Sequence, residues 1–198
     1  KMHYVGLDVH KAFTYGVIED ATGGVVKEDK FQNTDENFSK FLDLTEPKET
    51  KIVMESTGVW EFIYEMLEAK GYEVKLANPL RTKAIASAKI KTDAIDAKTL
   101  ADLLRADLIP ESYVPCREIR KLREKVRSRK SLVRIQTRMI NKIKAILNRQ
   151  GVNLPWKRWG KLSQKWIEEH EFRNKDIIMR HLRILSQIEE EVKTLQSE

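Results

Sequence analysis

A single cysteine, Cys116, in 198 residues excludes a disulfide framework and a cysteine-rich zinc site. No apolar run approaches the roughly 20 residues of a bilayer span. The opening residues Lys1-Met2-His3-Tyr4 carry no signal-peptide hydrophobic region, so a cytoplasmic protein without a membrane segment is expected. Neither glycine nor proline occurs from Cys116 to Arg149, which removes every strong helix breaker from that stretch. Disorder is excluded by what is present: 41% hydrophobic and 34% charged residues describe a soluble, helix-rich chain. Its length suffices for one ordinary core plus a helical appendage, or for two small domains.

The net charge of +7 hides an asymmetry. Residues 1–115 carry 15 Lys+Arg against 20 Asp+Glu, whereas residues 116–150 carry 13 against 2. Residues 151–198 are close to balance, with 9 against 8. An acidic globular part joined to a concentrated basic helix points to a polyanionic partner more than to general solubility.

Periodicity predicts three strands at the start. His3–His10 alternates, placing Val5, Leu7 and Val9 on one face and Tyr4, Gly6, Asp8 and His10 on the other. Residues 12–19 and 25–31 follow across short links and a Gly23-Gly24 turn, the pattern of an antiparallel meander. Thr34 or Asp35 caps a helix to about Leu44, burying Phe38, Phe41 and Leu42. After Pro47, Lys51–Glu55 reads as a short buried strand. A helix carrying Trp60, Ile63, Tyr64 and Leu67 on one stripe follows, ended by Gly71. Residues 72–77 form another strand, closed by Asn78-Pro79. Strand, helix, strand, helix implies parallel pairing with right-handed crossovers. A meander followed by such units is an α/β fold with a mixed sheet, in the order expected of the RNase H fold.

From Cys116 to Arg149 a single long helix is predicted. Ile119, Leu122, Val126, Arg129, Val133, Gln136, Ile140, Ile143 and Leu147 step by three and four, a heptad seam with polar residues at two interior positions. Gly151 and Pro155 end it. A tryptophan-rich turn (Trp156, Trp159, Trp166) leads to a last helix with Ile178, Leu182, Leu185, Ile188, Val192 and Leu195. Two striped helices form either an antiparallel hairpin or a dimerising coiled coil.

Four carboxylates stand out. Asp8 lies inside an otherwise apolar strand, and Glu55 ends a second one before a Thr-Gly turn. Asp93 and Asp96 follow Thr92, a good N-cap, and stand three residues apart on one helical face that continues as Leu100 and Leu103. Isolated carboxylates on a buried stripe are disfavoured by desolvation, and a shared cation relieves this. Mg²⁺ or Mn²⁺ prefers such oxygen donors, and a pair of these ions about 4 Å apart suits phosphodiester chemistry. Each acid also has a structural reading. Asp93 complements a helix dipole, and Asp96 is within reach of Lys89 or Lys91.

The segments Gly6-Leu7-Asp8-Val9-His10-Lys11, Met54-Glu55-Ser56-Thr57-Gly58-Val59-Trp60, Asn78-Pro79 and Lys91-Thr92-Asp93-Ala94-Ile95-Asp96-Ala97 resemble the DEDD transposases. These form the insertion-sequence family numbered one hundred and ten, related to the pilin-gene invertase. The match runs in order through the first half of the chain, and Lys-Thr-Asp-x-x-Asp-Ala is its most specific piece. The resemblance implies an RNase-H-like (RuvC-type) domain over residues 1–112 with Asp8, Glu55, Asp93 and Asp96 in the four DEDD positions. It implies Mg²⁺ (or Mn²⁺) dependence, strand exchange of a mobile element, and guidance by a structured bridge RNA. It further implies a helical coiled-coil region over residues 113–198, then a carboxy-terminal domain bearing a serine nucleophile. No serine of this sequence matches that nucleophile.

Thirteen basic side chains cover most of the long helix outside its seam, opposed by Glu118 and Glu124 alone. Arg120, Arg123, Arg127, Lys130, Arg134, Arg138 and Lys142 are the candidates for contacting DNA or guide RNA, and charge serves both equally. Solvated coiled-coil faces, the structural alternative, usually mix signs. Lys11, Lys89 and Lys91 flank the acids and are candidates for holding a scissile phosphate, or are surface lysines. His10 is a candidate for metal or phosphate contact, although a lone strand histidine is more often structural. The tryptophans are assigned to hairpin packing and Cys116 to an inert role. The expected function is the amino-terminal part of a DNA transposase that oligomerises with itself through the helical region. The alternatives are a stand-alone RuvC-like junction nuclease, and a nucleic-acid-binding assembly module whose acids are structural.

Overall fold

The computed structural model describes residues 1–86 and 92–197. It divides into two compact units, Lys1–Val114 and Pro115–Glu198. No helix among the described residues is long and apolar enough to cross a membrane.

The first unit is built on a five-stranded sheet. Strands β1 (His3–Val9), β2 (Phe13–Asp20) and β3 (Val25–Gln32) form the antiparallel meander. Strands β4 (Thr50–Glu55) and β5 (Glu73–Ala77) add in parallel on the other side of β1, giving the order β3-β2-β1-β4-β5. This mixed sheet with flanking helices is the α/β, RNase-H-like arrangement that the sequence pattern predicts. Helices α1 (Asp35–Phe41) and α2 (Trp60–Ala69) cover one face. Their Phe38, Phe41, Ile63 and Leu67 pack on Val5, Leu7, Ile18, Ile52 and Met54, all at most 2% exposed. Thr34 caps α1 by accepting from the Asn37 amide, and Gly71 ends α2 in the left-handed region at φ +86°. Helix α3 (Pro79–Ile85) starts at Asn78, whose side chain accepts from the amides of Leu80 and Arg81.

Helix α4 (Asp93–Arg105) covers the other face, and a close approach sets its position. A Cβ on Gly6 of β1 would stand 2.0 Å from the Ala97 carbonyl oxygen and 2.6 Å from the Ala101 nitrogen. Glycine there, with alanines opposite, lets two backbones meet where larger side chains would hold them apart. Leu100 and Leu104 then bury against Val53 and Ala77. A polar clamp fixes the outer edge of the helix. Glu19 of β2, fully buried, accepts a hydrogen bond from Lys98 Nζ at 2.9 Å. Arg105 Nε lies 3.5 Å from the other Glu19 oxygen, a charge contact without hydrogen-bond geometry. Beyond α4 the chain returns along β5, with Asn78 donating to Pro110 and Ser112 to Leu76.

The second unit consists of helices α5 (Arg117–Asn148), α6 (Lys161–Glu169) and α7 (Lys175–Ser197). The long helix falls where the missing glycine and proline predict it. Gly151, at φ +72°, follows its end. Two expectations need correction. Trp166 lies on α6, not in a turn; it packs with Trp156, Phe172 and His170, so the tryptophans pin a third short helix onto the hairpin. The seam is also only partly paired within the chain. Ile143, Ile146 and Leu147 bury against Ile178, Leu182 and Leu185, whereas Ile119, Leu122 and Val126 are 40%, 55% and 58% exposed. A heptad pattern reports that a stripe is apolar, not how far along it a partner extends.

Candidate metal centre and basic helix

Asp8 and Glu55 sit at the carboxyl ends of β1 and β4. The parallel register pairs Leu7 with Met54, so the next residues, Asp8 and Glu55, stand side by side on the face that α4 covers. In α/β sheets ligands collect outside the carboxyl ends of adjacent parallel strands. Asp8, Glu55 and Asp96 line one cavity of about 210 Å³, together with Pro79, Leu80, Thr82 and Lys83 of α3 and Thr99 and Leu100 of α4. Asp93, one turn before Asp96, is linked to Asp8 through His10. The His10 ring nitrogen Nε2 lies 3.0 Å from Asp8 Oδ2 and 3.4 Å from Asp93 Oδ1. One ligand atom each from Asp8, His10 and Asp93 falls within a 4.8 Å span, a group able to hold a metal ion.

The electrostatics fit a cation. Burial raises the Asp8 carboxyl above the ordinary aspartate range; His10 opposes that shift, and the charges of Asp93 and Asp96 add to it. Lys30 of β3 reaches Asp93 at 3.5 Å from across the sheet, in line with Asp8 and Tyr15 on successive strands. Thr82, 5% exposed, lines the cavity and its Oγ1 has no hydrogen-bond partner among the described residues. An acid disfavoured in its charged form, further carboxylates converging on it and an unsatisfied buried hydroxyl make a site whose donors suit a hard divalent ion.

The family model of IS110-type DEDD transposases, described as transposase, matches residues 5–151. The chain belongs to this transposase family. It is similar to the transposase for insertion sequence element IS1533 of Leptospira borgpetersenii, 28% identical over 177 residues that make up 86% of this chain and 51% of that protein. It is also similar to the putative transposase y4qE of Sinorhizobium fredii (strain NBRC 101917 / NGR234), 28% identical over 111 residues, which are 56% of this chain and 28% of that protein. The chain therefore spans about half the length of the first relative and about a quarter of the second.

The match covers both sets of residues that the sequence of this transposase-family chain singles out. Asp8, Glu55, Asp93 and Asp96, spread over 88 positions of the sequence, converge at one edge of the sheet. Lys11 does not line their cavity. It lines a separate groove with Asn33, Gly58, Val59, Glu61 and Phe62. Lys89 and Lys91 lie outside the described residues. Lys83 is the cation lining the acidic cavity among the described residues, and it was passed over because one lysine at the end of a short helix carries no sequence signal. Lys30 was missed for a different reason: only strand register puts it beside Asp93. His10 was detectable, since residues two apart on a strand share a face.

On α5, Arg123, Arg127, Lys130, Arg134, Arg138 and Lys142 are exposed, and Arg120 is half-buried with its guanidinium donating to the Pro115 carbonyl at 2.9 Å. Their spacings of three and four residues place all seven on one side of the helix, away from the apolar seam.

Proposed function

We propose that this chain supplies the metal-dependent, DNA-cleaving half of a transposase and a helical arm that binds nucleic acid. The observation that carries the first part is the convergence of Asp8, Glu55 and Asp96 on one cavity, with Asp93 joined to Asp8 through His10. Asp8, Glu55, Asp93 and Asp96 are the residues that would hold Mg²⁺ or Mn²⁺. When bound, such an ion activates a nucleophile and stabilises the leaving oxygen of a phosphodiester. The chain's own residues do the rest. The carboxylates orient as ligands without moving protons, and Lys83 offers its ammonium to a non-bridging phosphate oxygen. Helices α3 and α4 wall the site on two sides.

The reaction assigned to the assembled protein is strand transfer of an insertion sequence, guided by a structured bridge RNA. It is completed by the serine-bearing domain that the family resemblance implies, with chains associating through the helical region. Residues 1–112 serve as the catalytic domain and residues 113–198 as the helical region. The seven basic residues on one side of α5 support a phosphate-tracking role for that arm.

Two measurements test this reading. Calorimetric titration with Mn²⁺ or Mg²⁺ is expected to show binding at millimolar concentration or below; no binding by the folded chain overturns the metal-dependent half. Affinity for DNA or structured RNA is expected to fall about 10³-fold or more between 50 and 200 mM salt if six or more phosphates are neutralised. Replacing Arg127, Lys130 and Arg134 by Gln should lower the salt slope by roughly 2–3, since each phosphate contact contributes about 0.7–0.9. An unchanged slope removes α5 from the interface.

A further inference from the structure

The proposed reaction names the four acids as ligands and gives His10 only the link between Asp8 and Asp93, yet the fold holds this residue firmly. Its amide donates to the Phe13 carbonyl at 2.9 Å. Its own carbonyl accepts from Asn33 Nδ2 at 2.8 Å, and Asn33 Oδ1 in turn accepts from the fully buried Thr14 hydroxyl at 2.6 Å. The imidazole stacks on Phe13 with ring centroids 4.5 Å apart. Backbone and ring are thus held by Phe13 of β2 and by Asn33, just after β3, with Nε2 toward the acids. A ligating histidine needs its ring orientation fixed, and here the backbone contacts and the Phe13 stack fix it.

The spacing agrees. Two ligands at right angles about an ion with bonds of about 2.1 Å stand about 3.0 Å apart. Nε2 lies 3.0 Å from Asp8 Oδ2 and 3.4 Å from Asp93 Oδ1, and one ligand atom from each of the three residues lies within 4.8 Å of the others, so side-chain rotation would gather them onto one octahedral face. Lys30, the cation now beside Asp93, already lies over the Phe13 ring at 3.8 Å from its centroid. It keeps an attractive neighbour when Asp93 turns toward an ion.

We propose that His10 supplies a nitrogen ligand to a divalent cation shared with Asp8 and Asp93, and that this donor biases the centre toward Mn²⁺ over Mg²⁺. Both ions favour oxygen donors, but Mn²⁺, the first of the transition-ion affinity series, accepts an imidazole nitrogen more readily than Mg²⁺ does. The inference rests on the metal-dependent reading above and adds a fifth protein donor to it.

Electron paramagnetic resonance of the chain with Mn²⁺ separates the two. Loss of the free-ion signal reports binding, and spin-echo modulation reports nitrogen in the coordination sphere. Bound Mn²⁺ is expected to show ¹⁴N modulation that converts to the ¹⁵N pattern when the chain is labelled with ¹⁵N-histidine. The pattern should vanish in His10→Phe, which keeps a ring against Phe13 and leaves His3, His170 and His181 in place. In the same variant Mn²⁺ affinity should fall about tenfold or more, with a smaller loss for Mg²⁺. Bound Mn²⁺ without histidine nitrogen coupling overturns the role of His10 and leaves the carboxylate centre standing. Absence of Mn²⁺ binding by the folded wild-type chain overturns both. The labelled wild-type measurement needs no variant to fold.

Discussion

Asp8→Asn is expected to abolish metal-dependent strand cleavage, by about 10³-fold or more, while the fold survives and the metal-free protein becomes more stable. The loss corresponds to about 4 kcal/mol of transition-state stabilisation. It is large because Asp8 borders both the cavity lined by Glu55 and Asp96 and the group formed with His10 and Asp93. An amide there is neutral and supplies one weak oxygen donor. The stability gain has a separate cause. Burial and the neighbouring aspartates raise the Asp8 carboxyl above its ordinary value of 3.8, so folding favours its protonated form. Below pH 3.8 the acid is protonated in both folded and unfolded chains and costs nothing. As pH rises through the interval up to the raised folded value, the folded state loses stability, and above it the full penalty persists. The advantage of Asp8→Asn should therefore be near zero in strong acid, grow as pH rises through that interval and hold its full size at neutral pH. Urea denaturation at several pH values in chelator measures it. A variant less stable than wild type at neutral pH would show that the hydrogen bond with His10 outweighs the acid's desolvation. Added Mn²⁺ should reverse the order, because only the wild type gains binding energy in the folded state.

Gly6→Val carries the largest expected effect on folding, a loss of about 3 kcal/mol or more. The new Cβ would stand 2.0 Å from the Ala97 oxygen and 2.6 Å from the Ala101 nitrogen, and both are backbone atoms of α4. No rotamer change relieves that overlap, so the helix must lift or the strand must bend, at the upper end of overpacking costs. Lifting α4 also carries Asp93 and Asp96 away from Asp8, and metal affinity should fall together with stability. Gly58→Ala is the matched control, since a Cβ there meets nothing within 4 Å. Thermal melting of the two variants gives the comparison. A Gly6→Val protein within about 0.5 kcal/mol of wild type would show that α4 does not need this contact to dock.

Much of the architecture is legible in the sequence, and the reason is local. Period-two alternation over His3–Val9 and the Gly23-Gly24 turn report the meander directly. The stripe of Ile63 and Leu67 reports α2, and the breaker-free run from Arg117 to Asn148 reports α5. The four acids were conspicuous because a carboxylate on an apolar strand or helix face needs a partner. What the local pattern misread was extent. Trp166 proved helical, and the apolar seam of α5 proved to be covered only toward its carboxyl end. Both outcomes depend on which distant segment packs there.

Sequence alone determined the element order, the family motifs and the segregation of positive charge onto one helix, because each is written in residue types at short spacing. Only the tertiary structure decided that Glu55 stands beside Asp8, that His10 and Lys30 face Asp93, and that Thr82 and Lys83 line the cavity. Those relations follow from strand register and from the docking of α4 on Gly6, set by the fit of backbone against backbone across more than ninety residues of chain. Such a fit has no signature in any window short enough to show a period.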